Sequence, residues 1–275
     1  MSKARILHVS QEIIPFLPEN NLSKTSRQLP QTTHEKGKEI RVFMPRYGKI
    51  NERRHQLHEV IRLSGMNLII NDTDHPLIIK VASIPSARMQ VYFIDNEEYF
   101  KRKAVLRDEN GDLFKDNDER SIFFIRGVLE TVKKLGWSPD VIHCHGWMSA
   151  LMPMYVKELY NEDPHFADTK VVYSVYDEGF DGSLDADMAK KVTMDGIDAS
   201  KVKTINDPTF NNLNALGAMY ADGVIQHTAD MTPEVEGLVK SDGKSFLEYS
   251  AEESFVSEIV NFYDEILEGK SELVE

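Results

Sequence analysis

A single cysteine, Cys144, leaves this chain of 275 residues with no means of forming an internal disulfide. Such a chain suits a reducing compartment, and a cytoplasmic location is the expectation. No apolar run approaches membrane-spanning length, and the start, MSKAR, leads into a strand without a signal-peptide apolar region. The sequons at Asn21 and Asn71 therefore carry no weight. No two of the 15 glycines lie two positions apart, so there is no Gly-x-Gly fingerprint, and no phosphate-cradling loop lysine follows a correctly spaced glycine. Cations are in deficit: 32 Lys and Arg face 45 Asp and Glu, a net charge of −13. That balance argues against nucleic acid and anionic membrane as partners, since both need a basic face. A neutral ligand or a protein remains compatible.

What is present is an ordinary globular composition, 41% apolar and 28% charged, with enough length for a substantial core. The organising stretch is Arg5 to Pro30. Ile6, Leu7 and Val9 read as a buried strand, Pro15 and Pro18 as a loop, and 21–36 as a helix stopped by Gly37. A loop between a parallel strand and a helix N-terminus is where open α/β sheets bind ligands, anions above all. Ile40 to Met44 reads as the second strand, opening onto a basic loop with Arg46, Tyr47, Lys49, Arg53 and Arg54. Short strands at 68–70, 77–81 and 91–94, separated by turn formers, suggest an inserted β-meander. A helix is expected over 118–135, then a buried strand through His143 and His145, a turn and a helix over 148–160. Further elements are expected at 170–175, 211–220 and from Ala221.

Two further motifs fall short of a metal site. His143 and His145 alternate at a strand end, but without a third ligand at recognisable spacing one is expected to pack on the sheet and the other to line the cleft mouth. No metal is expected, and no cofactor. Asp181, Ser183, Asp185 and Asp187 alternate as in a calcium loop, yet Ala186 and Val192 stand where its glycine and closing glutamate belong. In the tail, Ser250 to Glu253 has capping-box spacing. Phe255, Ile259, Phe262 and Ile266 share one helical face, expected to pack back on the sheet or, alternatively, to dock a protein partner or a second copy.

The Pro15-Phe16 loop, Leu22, Leu29-Pro30, Gly37, Arg41-Val42, Pro45-Arg46-Tyr47, the run Val91 to Asn96 and the stretch Pro139 to Trp147 together resemble the bacterial glycogen and starch synthases, glycosyltransferases of family five. The resemblance covers about residues 4–235 and implies the N-terminal lobe of a two-lobed GT-B fold: α/β, a Rossmann-like doubly wound, mostly parallel sheet flanked by helices. Residues 1–240 are expected to form that domain, and 241–275 an acidic C-terminal helix. In the family a Lys-Thr-Gly-Gly-Leu loop meets the sugar nucleotide and the glucan; here the positions are Pro18, Glu19, Asn20, Asn21 and Leu22. The family's His-Asp-Trp becomes His145, Gly146 and Trp147. Its Thr-Ile-His-Asn, whose histidine contacts the donor glucose, becomes Ser174, Val175, Tyr176 and Asp177. The resemblance therefore implies glucan metabolism, while the lost lysine, the lost histidine and the missing second lobe imply no glucosyl transfer by the chain alone. The expected role is a glucan-associated or regulatory subunit binding through Glu19, Asn20, Asn21, Arg46, Tyr47, His145, Trp147, Tyr176 and Asp177, with no catalytic residue of its own. The alternatives are a glucosyltransferase using ADP-glucose or UDP-glucose completed by a partner chain, and a protein-interaction module.

Overall fold

The computed structural model describes residues 3–241 and 243–269. Ten strands form one sheet: β1 (Arg5–Ser10), β2 (Glu39–Pro45), β3 (His58–Glu59), β4 (Met66–Ile70), β5 (Thr73–Ile84), β6 (Met89–Asp95), β7 (Val141–His145), β8 (Lys170–Val175), β9 (Gly223–Gln226) and β10 (Ser245–Leu247). Their order is β10-β9-β8-β7-β1-β2-β6-β5-β3, with β4 on β5. Pairing is parallel from β10 through β6 and antiparallel for β3, β4 and β5. The meander is thus built on the main sheet through β6 rather than beside it. Every residue of β7 and β9 is buried, as strands covered on both faces must be.

Helix α1 (Asn21–Glu35) follows β1. Its start is set locally: the Asn20 side chain accepts from the Ser23 N–H at 2.7 Å, and Ser23 Oγ accepts from the Asn20 N–H at 2.9 Å. This reciprocal cap satisfies donors that the first turn leaves open. Asn20→Ala is expected to cost about 1 kcal/mol in urea unfolding; no change would mean that the cap is supplied elsewhere. The helix ends at Gly37, which takes φ +90°.

The tail departs from expectation in two ways. Ser245–Leu247 joins the sheet edge as a strand, so the tail is not helix alone. The terminal helix runs Phe255–Glu268 with Ser254 at its N-cap and no side-chain cap bond, so the Ser250–Glu253 spacing does not start it. Within that helix Phe255, Ile259, Phe262 and Ile266 are all buried, packed with Val260 and Tyr263 on Ile6, Leu29, Val141, Val172 and Ile225. The apolar stripe is therefore spent inside the chain and offers no free face to a partner. Residues 270–275 of the expected tail lie outside the described residues.

Candidate functional site

Strand order reverses about β1, with β2 on one side and β7 on the other, and a cleft of about 250 Å³ opens at the carboxyl ends there. Gln11 and Glu12 enter it just after β1, Tyr47 after β2, Trp147 after β7, and Glu178 and Gly179 after β8. Asn20 closes one side, and Val105 and Leu106, from the polar excursion, close another.

Glu178 reaches the start of α1, where its Oε1 accepts from the Leu22 N–H at 3.2 Å. Asn20 Nδ2 donates to Glu12 Oε2 at 2.8 Å. The end of the helix that would ordinarily attract an anion is thus already occupied by a side-chain carboxylate and an amide oxygen. Burial raises the Glu12 carboxyl above its ordinary range; the Asn20 hydrogen bond pulls it part of the way back and the Glu178 charge pushes it further up. Gln11 braces the floor, accepting from the Met148 N–H at 3.3 Å and donating to the Glu178 carbonyl at 3.4 Å.

Gly146 is required here. It has φ +82°, and a Cβ on it would lie 2.5 Å from Gln11 Oε1 and 2.6 Å from Leu22 Cδ1. An aspartate at 146 would have to move both neighbours.

Of the nine residues expected at the site, the cleft brings together Asn20, Tyr47 and Trp147. Tyr47 and Trp147 expose only 1% and 4% of their surface, so they wall the cleft rather than offer a stacking platform. Glu19 and Asp177 are exposed and line no part of it. Asn21 turns the other way, donating to the His227 carbonyl at 2.9 Å. Arg46 is held by Asp95 at 2.9 Å and Glu52 at 3.3 Å, away from the cleft.

His145 and Tyr176 are the clearest corrections. Both are buried in the layer between the sheet and its covering helices, not at the cleft mouth. Tyr176 Oη lies 2.9 Å from His145 Nδ1, and its ring stacks on His227 at 4.3 Å between centroids. Alternation along β7 aims His143 and His145 at the same face, and the β1–β7 register sets His8 opposite His143. The third imidazole that sequence reasoning lacked is therefore His8. Ligand atoms of His8, His143 and His145 fall within 4.8 Å of one another, the only such group among the described residues. His143, however, already uses both ring nitrogens, on Tyr263 Oη and Ser174 Oγ at 2.6 Å each. The cluster is a hydrogen-bonded layer, with desolvation holding His8, His143, His145 and His227 well below the usual imidazole range, His145 at about 3.

Sequence reasoning missed Gln11, Glu12 and Glu178. The signal was available for two of them, since Gln11 and Glu12 directly follow β1. Glu178 could be found only by knowing which strand ends converge.

Residues 5–239 match the family of the starch synthase catalytic domain. The chain belongs to that family. The chain is 38% identical over 221 residues to a glycogen synthase of Chlorobium limicola, covering 79% of this chain and 44% of that protein. With the glycogen synthase of Chlorobium phaeovibrioides the figures are 34% over 235 residues, 85% and 47%. This starch-synthase-family chain thus spans less than half the length of these curated relatives. Its fold matches the catalytic domain of Starch Synthase IV from Arabidopsis thaliana, solved with ADP and acarbose, at a TM-score of 0.72. Identity there is 17%, over 90% of this chain and 51% of that one, which is a likeness of fold. Among the described residues of the starch-synthase-family chain no helix is long and apolar enough to cross a membrane.

Proposed function

We propose that this starch-synthase-family chain holds a neutral α-glucan at the carboxyl-end cleft and transfers no glucose from a nucleotide sugar unaided. It would serve glucan metabolism as a glucan-associated or regulatory subunit in the cytoplasm. The observation that carries this is the Glu178 carboxylate on the Leu22 N–H, with Glu12 beside it. A diphosphate seated there would meet like charge. Two unit charges about 4 Å apart repel by about 4 kcal/mol at an effective dielectric near 20. The attraction of a helix N-terminus, about 0.3–1 kcal/mol, is too weak to offset that. A sugar has no such conflict: its hydroxyls donate to carboxylates, and Tyr47, Trp147 and Leu106 wall a space of the right order for one ring.

Purified chain is expected to give no transfer of labelled glucose from ADP-glucose or UDP-glucose to glycogen, yet to be retarded in a glycogen-containing native gel. Glu12→Ala should weaken the retardation. Trp147→Ala and Tyr176→Ala are poor probes because both side chains are buried and their loss would act through packing. Robust transfer by the chain alone would end this reading.

A second reading is favoured by coverage: the matched relatives are more than twice as long as the aligned stretch. In it, a partner chain would bring the donor's phosphate contacts and complete a glucosyltransferase. Transfer appearing only on addition of that partner would support it.

A further inference from the structure

The chain is strongly acidic overall, yet one groove of about 420 Å³ is lined by Lys3, His34, Lys38, Arg41 and Arg88 against the single carboxylate of Glu39. It lies at the amino ends of β1, β2 and β6, the opposite end of the strands from the cleft. A strand of seven residues puts roughly 20 Å between the two sites.

The counter-charges are mostly turned elsewhere. Glu39 accepts from Trp137 Nε1 at 2.6 Å and lies 3.7 Å from Arg5. Lys38 is neutralised by Asp264 of the terminal helix. Among the described residues, no carboxylate comes within ion-pair distance of Lys3, Arg41 or Arg88.

Arg41 is the built element. Its guanidinium lies over the Tyr92 and Trp137 rings, 5.9 and 5.6 Å from their centroids, and Nη1 donates to Tyr92 Oη at 3.3 Å. Its Nε is buried and makes no hydrogen bond to any described residue. A half-buried arginine ordinarily meets an acceptor for its fork, because an unmet donor out of water is costly. Here two aromatic rings fix the guanidinium, and apart from the Nη1–Tyr92 hydrogen bond no described residue accepts from it. Arg88 and Lys3 are both exposed on the same groove.

We infer that this groove binds a phosphate-bearing small molecule, with Arg41 as the oriented bidentate donor and Lys3 and Arg88 as the charged rim. The site is separate from the glucan cleft, and its failure would leave the reading of that cleft untouched.

Isothermal titration of the full chain with pyrophosphate, glucose 1-phosphate and ADP tests the inference. Binding of one phosphate compound per chain is expected. It should weaken roughly tenfold or more in the Lys3→Glu/Arg88→Glu double variant, and in Arg41→Lys, which keeps the charge and loses the fork. The double variant changes two exposed side chains, and its thermal unfolding should match the parent. Tightest binding of glucose 1-phosphate would assign a sugar phosphate, of ADP a nucleotide, and equal binding with pyrophosphate the bare phosphate group. No binding of any of the three would overturn the proposal. So would binding that survives the charge reversal, or equal competition by sulfate, which would mean an adventitious ion only.

Discussion

Lowering the pH is expected to unfold this protein at a pH where most globular domains are still intact. Four imidazoles, His8, His143, His145 and His227, are buried and kept neutral mainly by desolvation, which holds them well below the ordinary imidazole value of about 6.5. In the unfolded chain each takes up a proton near pH 6.5. The stability they permit is therefore complete above about pH 6.5 and is lost as the pH falls below it. Each contributes a slope of about 1.4 kcal/mol per pH unit while the folded form stays unprotonated. Asp118, pushed up to about 6 by burial, works in the opposite sense and offsets one of the four. Burial also raises the Glu12 and Asp195 carboxyls, so the net slope is at most about 4 kcal/mol per pH unit, against a total stability of about 5–15 kcal/mol.

Circular dichroism and tryptophan fluorescence through an acid titration should show cooperative loss of structure between about pH 5 and pH 4, where that slope has removed roughly 6–10 kcal/mol. His227→Phe should move the midpoint to lower pH. A chain that stays folded to about pH 4, where ordinary carboxylates protonate, would contradict the expectation.

Phe262→Asp is expected to be the most damaging single change in the tail, and to act on the fold rather than on assembly. Phe262 is 4% exposed and packs with Ile259, Tyr263 and Ile266 on the sheet face formed by Ile6, Val141, Val172 and Ile225. Gly223 makes the close approach possible: a Cβ there would lie 2.3 Å from Ile266 Cδ1 and 3.0 Å from the Phe262 ring. Removing the ring costs about 3–5 kcal/mol, and placing a carboxylate in the dry seam adds to that. The same helix delivers Tyr263 Oη to His143, so losing it also exposes the histidine layer. Urea unfolding should show a midpoint shift equivalent to at least about 4 kcal/mol, with the elution volume of the folded fraction unchanged. Parent-like stability together with an altered oligomeric state would instead mean that this face meets another chain.

Much of the fold was legible because it is written in local pattern. The apolar runs at Ile6–Val9 and Val141–His145 read as buried strands, and glycine at 37 and 136 stops the helices before it. The Lys170–Val175 strand was legible to the residue. The meander was legible as strands, but not its attachment, because β2–β6 pairing joins residues about fifty positions apart. The site was harder. Asn20, Tyr47 and Trp147 were found through the resemblance to the family's motifs, and the structure sets each just after or at the cap of an element at the carboxyl edge. His145 and Tyr176 were misplaced because alternation says only that two residues share a face, not which face looks onto the cleft.

The sequence alone determined that this is an α/β chain of the starch synthase kind, and its resemblance to that family set the expectation of a replaced loop cation and cleft imidazole. Only the tertiary structure decided which side chains meet around the cleft and the histidine layer. Glu178 meets the Leu22 N–H across 156 positions of chain, and His8 meets His145 across 137. Such meetings depend on strand register and on the order of strands in the sheet. Both are set by how whole faces pack, and no local window of residues carries them.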